Sequence, residues 1–286
     1  MDPIDFSRSS PGQVLRTPKG YWEFVPDPLP PTIEWSTSLI SALGEAERNL
    51  GRLASLADAL PSPHILVRPF IQREAVLSSR IEGTRASLVD LYHYESAQNS
   101  FSEDTSDVRE VHNYVRAPDY GLERSKTLPV SLRLIREMHG ILMEGVRGEY
   151  LTPDEFRRSQ NWIGPPGSTI ESATIVPPPV DEMHQALDAM EKFIHAPSDI
   201  PQLARAGLIH YQFEAIHPFL DGNGRVGRLL VILLLIEWGL ISLPFLYLSA
   251  FFETHRLDYN DRLLAVSQRG EWVRRTRCAS RAMARF

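Results

Sequence analysis

Apolar residues recur at helical spacing along most of this chain. From Ile33 onward, Leu39, Ile40, Leu43, Leu50, Leu53, Leu56 and Leu60 fall on one face, which predicts a long amphipathic helix ending before Pro61. A second helix is expected over residues 67–81. Gly83 closes it, because glycine takes the left-handed conformation that ends many helices. The same period predicts helices over residues 86–94, 107–114, 131–143, 179–195 and 201–215. The one long apolar run, Leu229 to Ile236, stops at Glu237. It is far short of the ~20 residues needed to cross a bilayer and reads as a buried helix.

Two stretches break the helical pattern. Residues 1–31 crowd Pro26, Pro28, Pro30 and Pro31 together without helical period, which predicts an extended arm. Residues 164–179, GPPGSTIESATIVPPP, set Thr169, Ile170, Thr174, Ile175 and Val176 between glycine and proline punctuation. A short β-hairpin is expected there, its second strand ended by Pro177 to Pro179, since proline cannot donate to a strand ladder. The fold class is therefore mainly α, a helical bundle with one small β-hairpin. No fixed-period repeat is visible.

Composition narrows the partners. With 43% hydrophobic and 23% charged residues the 286-residue chain is ordinarily globular, and its formal net charge of −6 gives no global basic field for nucleic acid. Cys278 is the only cysteine, which excludes an internal disulfide framework and a cysteine-rich metal site and fits a reducing cytoplasm. The N-terminus, MDPIDFSRSSPGQ, lacks the basic segment and apolar core of a secretion signal.

The densest chemistry lies at residues 217–228, HPFLDGNGRVGR. Asp221, Gly222, Asn223 and Gly224 directly precede the apolar run and look like a helix start capped by aspartate. Such a start is an anion site: its N–H groups point outward, the helix dipole adds roughly half a positive charge, and the glycines allow a phosphate close. Arg225 and Arg228, three apart, share a face near that positive end, where an anion would relieve their repulsion; the alternative is that each pairs with a nearby carboxylate. His217, in the turn before the helix, has a side chain whose ordinary pKa of roughly 6.5 suits a general base. Asp221 can be the helix cap, an oxygen ligand for Mg²⁺, which commonly binds through one carboxylate plus phosphates and waters, or both.

His217, Phe219, Asp221, Gly222, Asn223, Gly224, Arg225 and Arg228 match HxFx(D/E)GNGRxxR at every defined position, and the chain thereby resembles the Fic-domain family of protein adenylyltransferases. GNGR lacks the lysine and spacing of a Walker-type P-loop. The resemblance implies a Fic fold, with the hairpin as a flap, and transfer of AMP from ATP to Ser, Thr or Tyr hydroxyls. His217 would deprotonate the hydroxyl, Asp221 would hold Mg²⁺, Gly222, Asn223 and Gly224 would cradle the phosphates, and Arg225 and Arg228 would neutralise the outer ones. Upstream, Ser78, Glu82 and Gly83 match the family's inhibitory pattern (S/T)xxxE(G/N), which implies a brake in which Glu82 pairs with Arg228 and denies it to the γ-phosphate. The resemblance further implies that Tyr259 and Asn260 border the adenine, and that a target protein docks at the flap near residues 164–176, with Arg157 and Trp162 anchoring it.

On this basis residues 1–31 form the arm, 32–125 an N-terminal helical region carrying the inhibitory helix, 126–270 the catalytic core and 271–286 a basic tail. The tail, VRRTRCASRAMARF from Val273, replaces the apolar helices of many relatives and leaves homodimerisation open. Neither a membrane nor nucleic acid is expected as a partner. Two other outcomes stay compatible with the motif: a Fic enzyme removing AMP from proteins, and a non-catalytic nucleotide-sensing module.

Overall fold

A computed structural model describes residues 1–6, 11–96, 106–146 and 152–272. The helices are α1 (Thr37–Asp58), α2 (Pro63–Ile81), α3 (Leu88–Ser96), α4 (Ser106–Ser125), α5 (Leu132–Leu142), α6 (Val180–His195), α7 (Gln202–Ile216), α8 (Asn223–Glu237), α9 (Leu248–Thr254) and α10 (Arg256–Arg269). Among the described residues one two-stranded antiparallel sheet, β1 (Gly12–Arg16) with β2 (Trp22–Pro26), accompanies them. The mainly helical class with one small hairpin is what the sequence predicts. The basic tail expected over residues 271–286 lies outside the described residues from 273 on.

The sheet is not where the sequence puts it. The arm expected to be extended folds into β1 and β2, with Val14 opposite Phe24 and Arg16 opposite Trp22. Phe24, fully buried, packs on Phe6 with ring centroids 5.4 Å apart, and burial of these rings drives the arm to fold. Residues 164–179, by contrast, hold a single isolated bridge between Ile163 and Ile175. Pro165, Pro166 and Pro177–Pro179 cannot donate to a ladder, and the residues between close short turns, Ser168 N–H to Pro165 O at 3.0 Å and Ser172 N–H to Thr169 O at 3.1 Å. Phe24 N–H donates to Val176 O at 2.8 Å, so this segment leans on β2.

Helix boundaries follow local chemistry. The first helix starts at Thr37 rather than Ile33 because Ser36 Oγ accepts the Leu39 N–H at 3.2 Å. Its apolar stripe is only partly covered: Ile40 and Leu56 are 56% and 67% exposed. Expected to end near Tyr114, α4 continues to Ser125 through Pro118, which is buried within it.

The chain packs as two compact units interleaved in sequence. One comprises Met1–Asn49, Phe156–Leu220 and the residues from Leu257 on; the other comprises Leu50–Glu155 and Asp221–Arg256. In the first, Phe6, Phe24, Ile175, Tyr211, Ala215 and Val266 form a core. In the second, α8 is buried from Asn223 to Leu235 save Gly224, as befits a helix apolar on every face, and α4 packs against it and α5.

Candidate functional site

In the second unit the start of α8 is built by glycine rather than by aspartate. Gly222 is the N-cap residue at φ 77°, a left-handed conformation that side chains resist, and the Met143 sulfur lies 3.2 Å from where its Cβ would be. Asp221 therefore stands one residue ahead of the cap, which corrects the expectation that it caps the helix. Its Oδ1 accepts the Gly222 N–H at 2.6 Å while its side chain stays 48% exposed. His139 of α5, buried, fixes this turn from behind. Its Nδ1 accepts the Asp154 N–H at 3.2 Å, so Nε2–H must donate to Asp221 O at 3.1 Å. Burial pushes the His139 pKa down to about 4 and keeps the ring neutral.

Arg228, one turn into α8, is 1% exposed. Its Nε donates to Ser78 Oγ at 2.8 Å, and its Nη2 donates to Ser78 O at 3.1 Å and to Glu82 Oε1 at 2.7 Å. Glu82 is the C-cap of α2, followed by Gly83 at φ 99°. A Cβ on Gly224 would collide with Glu82 Oε1, so this carboxylate sits against the first turn of α8, where an anion is favoured.

Arg225 goes elsewhere. It is buried, with Nη1 3.4 Å from Glu110 Oε2 and Nη2 3.8 Å from Asp221 Oδ1, and Glu110 also accepts the Thr84 hydroxyl at 2.8 Å. The two arginines expected to share one anion thus face different carboxylates. Asn223 is buried as well. On α2, Glu74 accepts from Ser249 Oγ at 2.5 Å and from Ser249 N–H, and burial pushes its pKa up to about 7 against the pull of those bonds and of Arg228. Among the described residues no three His, Cys, Asp or Glu gather into a group that could hold a metal ion alone. Asp221, a single exposed carboxylate, matches the sparse protein ligation of Mg²⁺ shared with phosphates.

In the first unit His217 is the C-cap of α7 at φ 50°, ψ 61°, a left-handed backbone on a residue that is not glycine. Its Nδ1 is 3.3 Å from Glu214 O, which can only accept, so Nδ1 carries a proton. Phe219, fully buried, packs on Phe156 at 5.3 Å. Arg157, also fully buried, sends Nε to His217 O at 3.0 Å and Nη2 to Pro178 O at 2.5 Å. Asn161 Nδ2 donates to His217 O at 3.2 Å and to Phe219 O at 2.8 Å. Burial pulls the Arg157 pKa down to about 10, partly offset by the charge of Glu23 on β2. Trp162 donates Nε1–H to Ser168 O at 2.9 Å within the segment it was expected to anchor. On α10, Tyr259 OH lies 2.8 Å from His210 Nε2, with the rings stacked, and Asn260 is exposed.

His139, Asn161, Glu110 and Glu74 carry no sequence signal of these roles. They lie 82, 56, 115 and 175 residues from Asp221, His217, Arg225 and Ser249, and only folding brings each pair together.

Two family models match the chain: the Fic/DOC family N-terminal region over residues 40–123 and the Fic/DOC family over residues 129–235, together well over half of it. A relative from Aquifex aeolicus named "Probable protein adenylyltransferase" is 28% identical over 182 residues, 61% of this chain and 50% of the relative. "Protein adenylyltransferase Fic" of Drosophila virilis is 32% identical over 114 residues, 39% of this chain and 21% of the relative. The chain thus spans half or less of the length of these relatives. In fold it is similar to a Fic family protein from Desulfovibrio desulfuricans G20, with TM-score 0.70, 18% identity, 90% of this chain and 75% of that one covered. It is similar also to a Fic domain containing signaling protein from Bacteroides thetaiotaomicron, with TM-score 0.64, 16% identity and coverage of 84% and 90%.

Proposed function

The chain belongs to the Fic/DOC family, and on that premise we propose that it is a protein adenylyltransferase, transferring AMP from ATP to a Ser, Thr or Tyr hydroxyl of a target protein and held off by its own Glu82. The observation that carries this is the Arg228 contact. One buried guanidinium at the start of an anion-binding helix is engaged by Ser78 and Glu82, where the reaction would need it on the γ-phosphate.

In the reaction, His217 Nε2 takes the proton of the target hydroxyl. The oxygen attacks the α-phosphorus, the bond from that phosphorus to the oxygen bridging to the β-phosphate breaks, and pyrophosphate leaves. His217 precedes Asp221 by four residues, so base and phosphate-binding turn belong to one motif. The backbone of Gly222, Asn223 and Gly224 would cradle the phosphates, and the helix dipole favours the charge. Asp221 would hold Mg²⁺, which supplies charge neutralisation on the phosphates when bound. Arg228, released from Glu82, holds the γ-phosphate so that the α-phosphorus faces the attacking oxygen; such transfer is mostly positioning. Arg225, tied to Glu110, maintains the turn that contains the cradle. Tyr259 and Asn260 would border the adenine, and residues 164–176 would receive the target as an added strand.

The test uses Glu82→Gly with ATP labelled at either the α- or the γ-phosphate. Adenylyl transfer puts α-label on protein and no γ-label; γ-label on protein would replace the proposal with kinase chemistry. Release of AMP from a modified target by the unaltered chain, lost in Glu82→Gly, would establish the reverse direction instead.

A further inference from the structure

His217 is held from its backbone, and we infer that Arg157 and Asn161 are positioning residues that set the orientation and tautomer of the His217 ring by clamping three consecutive carbonyls. The inference deepens the proposed function, since it takes His217 as the base. Arg157 Nε and Asn161 Nδ2 both donate to His217 O, at 3.0 and 3.2 Å. The Arg157 main-chain N–H donates to Pro218 O at 2.8 Å. Asn161 Nδ2 reaches Phe219 O at 2.8 Å. No carbonyl from 217 to 219 is left to find its own partner, and the fork that holds them comes from a segment 56 to 60 residues away.

The clamp answers a specific strain. At φ 50° and ψ 61° His217 occupies a region that residues other than glycine adopt at a cost, and such a backbone persists only where its surroundings over-determine it. The left-handed turn directs the imidazole back along α7, where Nδ1–H meets Glu214 O at 3.3 Å, the contact that in the neutral ring assigns the base to Nε2. Relaxing the turn would swing the ring from that carbonyl and let the proton move to Nε2, the wrong nitrogen for a base.

The clamp is itself rigid. Arg157 is fully buried, and its remaining donors go to Pro178 O, Ser159 O and Gln160 Oε1, at 2.5, 3.3 and 3.3 Å. Glu23 on β2 balances its charge, which gives the N-terminal hairpin a part in holding the turn. Phe156 and Phe219, neighbours of the two ends of the clamp, pack ring on ring beside it. The Asn161 amide has one usable orientation: only its NH₂ can face two carbonyls, so an aspartate of the same shape would set an acceptor against acceptors.

The experiment places Asn161→Ala and Asn161→Asp in the Glu82→Gly background and reads three quantities: AMP transfer rate, affinity for a non-hydrolysable ATP analogue by calorimetry, and the His217 ring ¹⁵N shifts by NMR. A clamp predicts that transfer falls on the order of 10²-fold with analogue affinity within about twofold, and that the His217 tautomer moves from Nδ1–H toward Nε2–H. Arg157→Lys, which keeps the charge facing Glu23 but loses the fork, should do the same. If it fails to fold, the Asn161 variants decide. Unchanged tautomer and rate in a folded Asn161→Ala overturn the inference, as does a parallel loss of rate, nucleotide affinity and Tm, which would mark a general structural role. Should the Glu82→Gly background transfer no AMP at all, the proposed function fails while the ring shifts still report on the clamp.

Discussion

Replacing Glu82 by glutamine separates charge from shape at the contact that holds Arg228. The glutamine keeps the length of the side chain and an oxygen for Arg228 Nη2, which now lies 2.7 Å from Glu82 Oε1, but loses the negative charge. Arg228 is 1% exposed and the Glu82 side chain 39%, so water reaches one side of the pair. Breaking a fully buried pair costs about 3–5 kcal/mol and an exposed pair contributes about 0–1 kcal/mol, which puts this one near ~2 kcal/mol. If Glu82 and the γ-phosphate compete for Arg228, removing that much raises productive occupancy about 30-fold, the expectation for Glu82→Gly. A charge-assisted hydrogen bond is roughly twice as strong as a neutral one, so Glu82→Gln should recover about half of the effect, about 5-fold. The assay is the rate of AMP incorporation at subsaturating ATP, beside calorimetry with an ATP analogue. The expected order is wild type, then Gln, then Gly. Glu82→Gln at the wild-type level with Glu82→Gly active would mean that the side chain blocks by filling space beside Gly224, and no change in either would refute the role of the pair.

Two further outcomes follow from the second unit. Burial raises the Glu74 pKa to about 7 from an ordinary 4.5, so between these values the folded chain binds more protons than the unfolded one and its stability falls as pH rises, by up to about 3 kcal/mol. Glu74→Gln removes that loss; the difference in Tm between variant and wild type should grow in favour of the variant from pH 4.5 to 7.5, and a constant difference would contradict the buried carboxylate. Gly222→Ala forces a side chain into φ 77° beside Met143 and should cost about 1–2 kcal/mol, a few degrees in Tm, with weaker nucleotide binding. A neutral Gly222→Ala in both measurements would show that the turn tolerates other geometry.

What could be read from the sequence divides along physical lines. Helices α2 and α5 to α8 announce themselves because an amphipathic or wholly apolar period is a local property, and α8 is further fixed by the glycines at its start. The motif's base, carboxylate and arginines are equally local. The strand signal misleads because Thr, Ile and Val near residue 170 carry β propensity, while the ladder itself fails for want of N–H groups among five prolines. In the arm, Trp22 and Phe24 outweigh the prolines by what Phe24 buries. Arg225 and Arg228 look interchangeable in sequence and are not: Glu110 on α4 and Glu82 at the C-cap of α2 decide which way each points. The support around His217 and Asp221, from Arg157, Asn161 and His139, is long-range and silent until the chain is folded.

The central claim, an adenylyltransferase held off through Arg228, meets its most direct test in intact-protein and peptide mass spectrometry after incubation with ATP and Mg²⁺. Glu82→Gly should place AMP on a Ser, Thr or Tyr hydroxyl of itself or of a protein in a lysate, and the double variant Glu82→Gly/His217→Ala should place none. AMP incorporation by wild type equal to that of Glu82→Gly, incorporation that survives loss of His217, or an ATP-binding Glu82→Gly that modifies nothing would each contradict it.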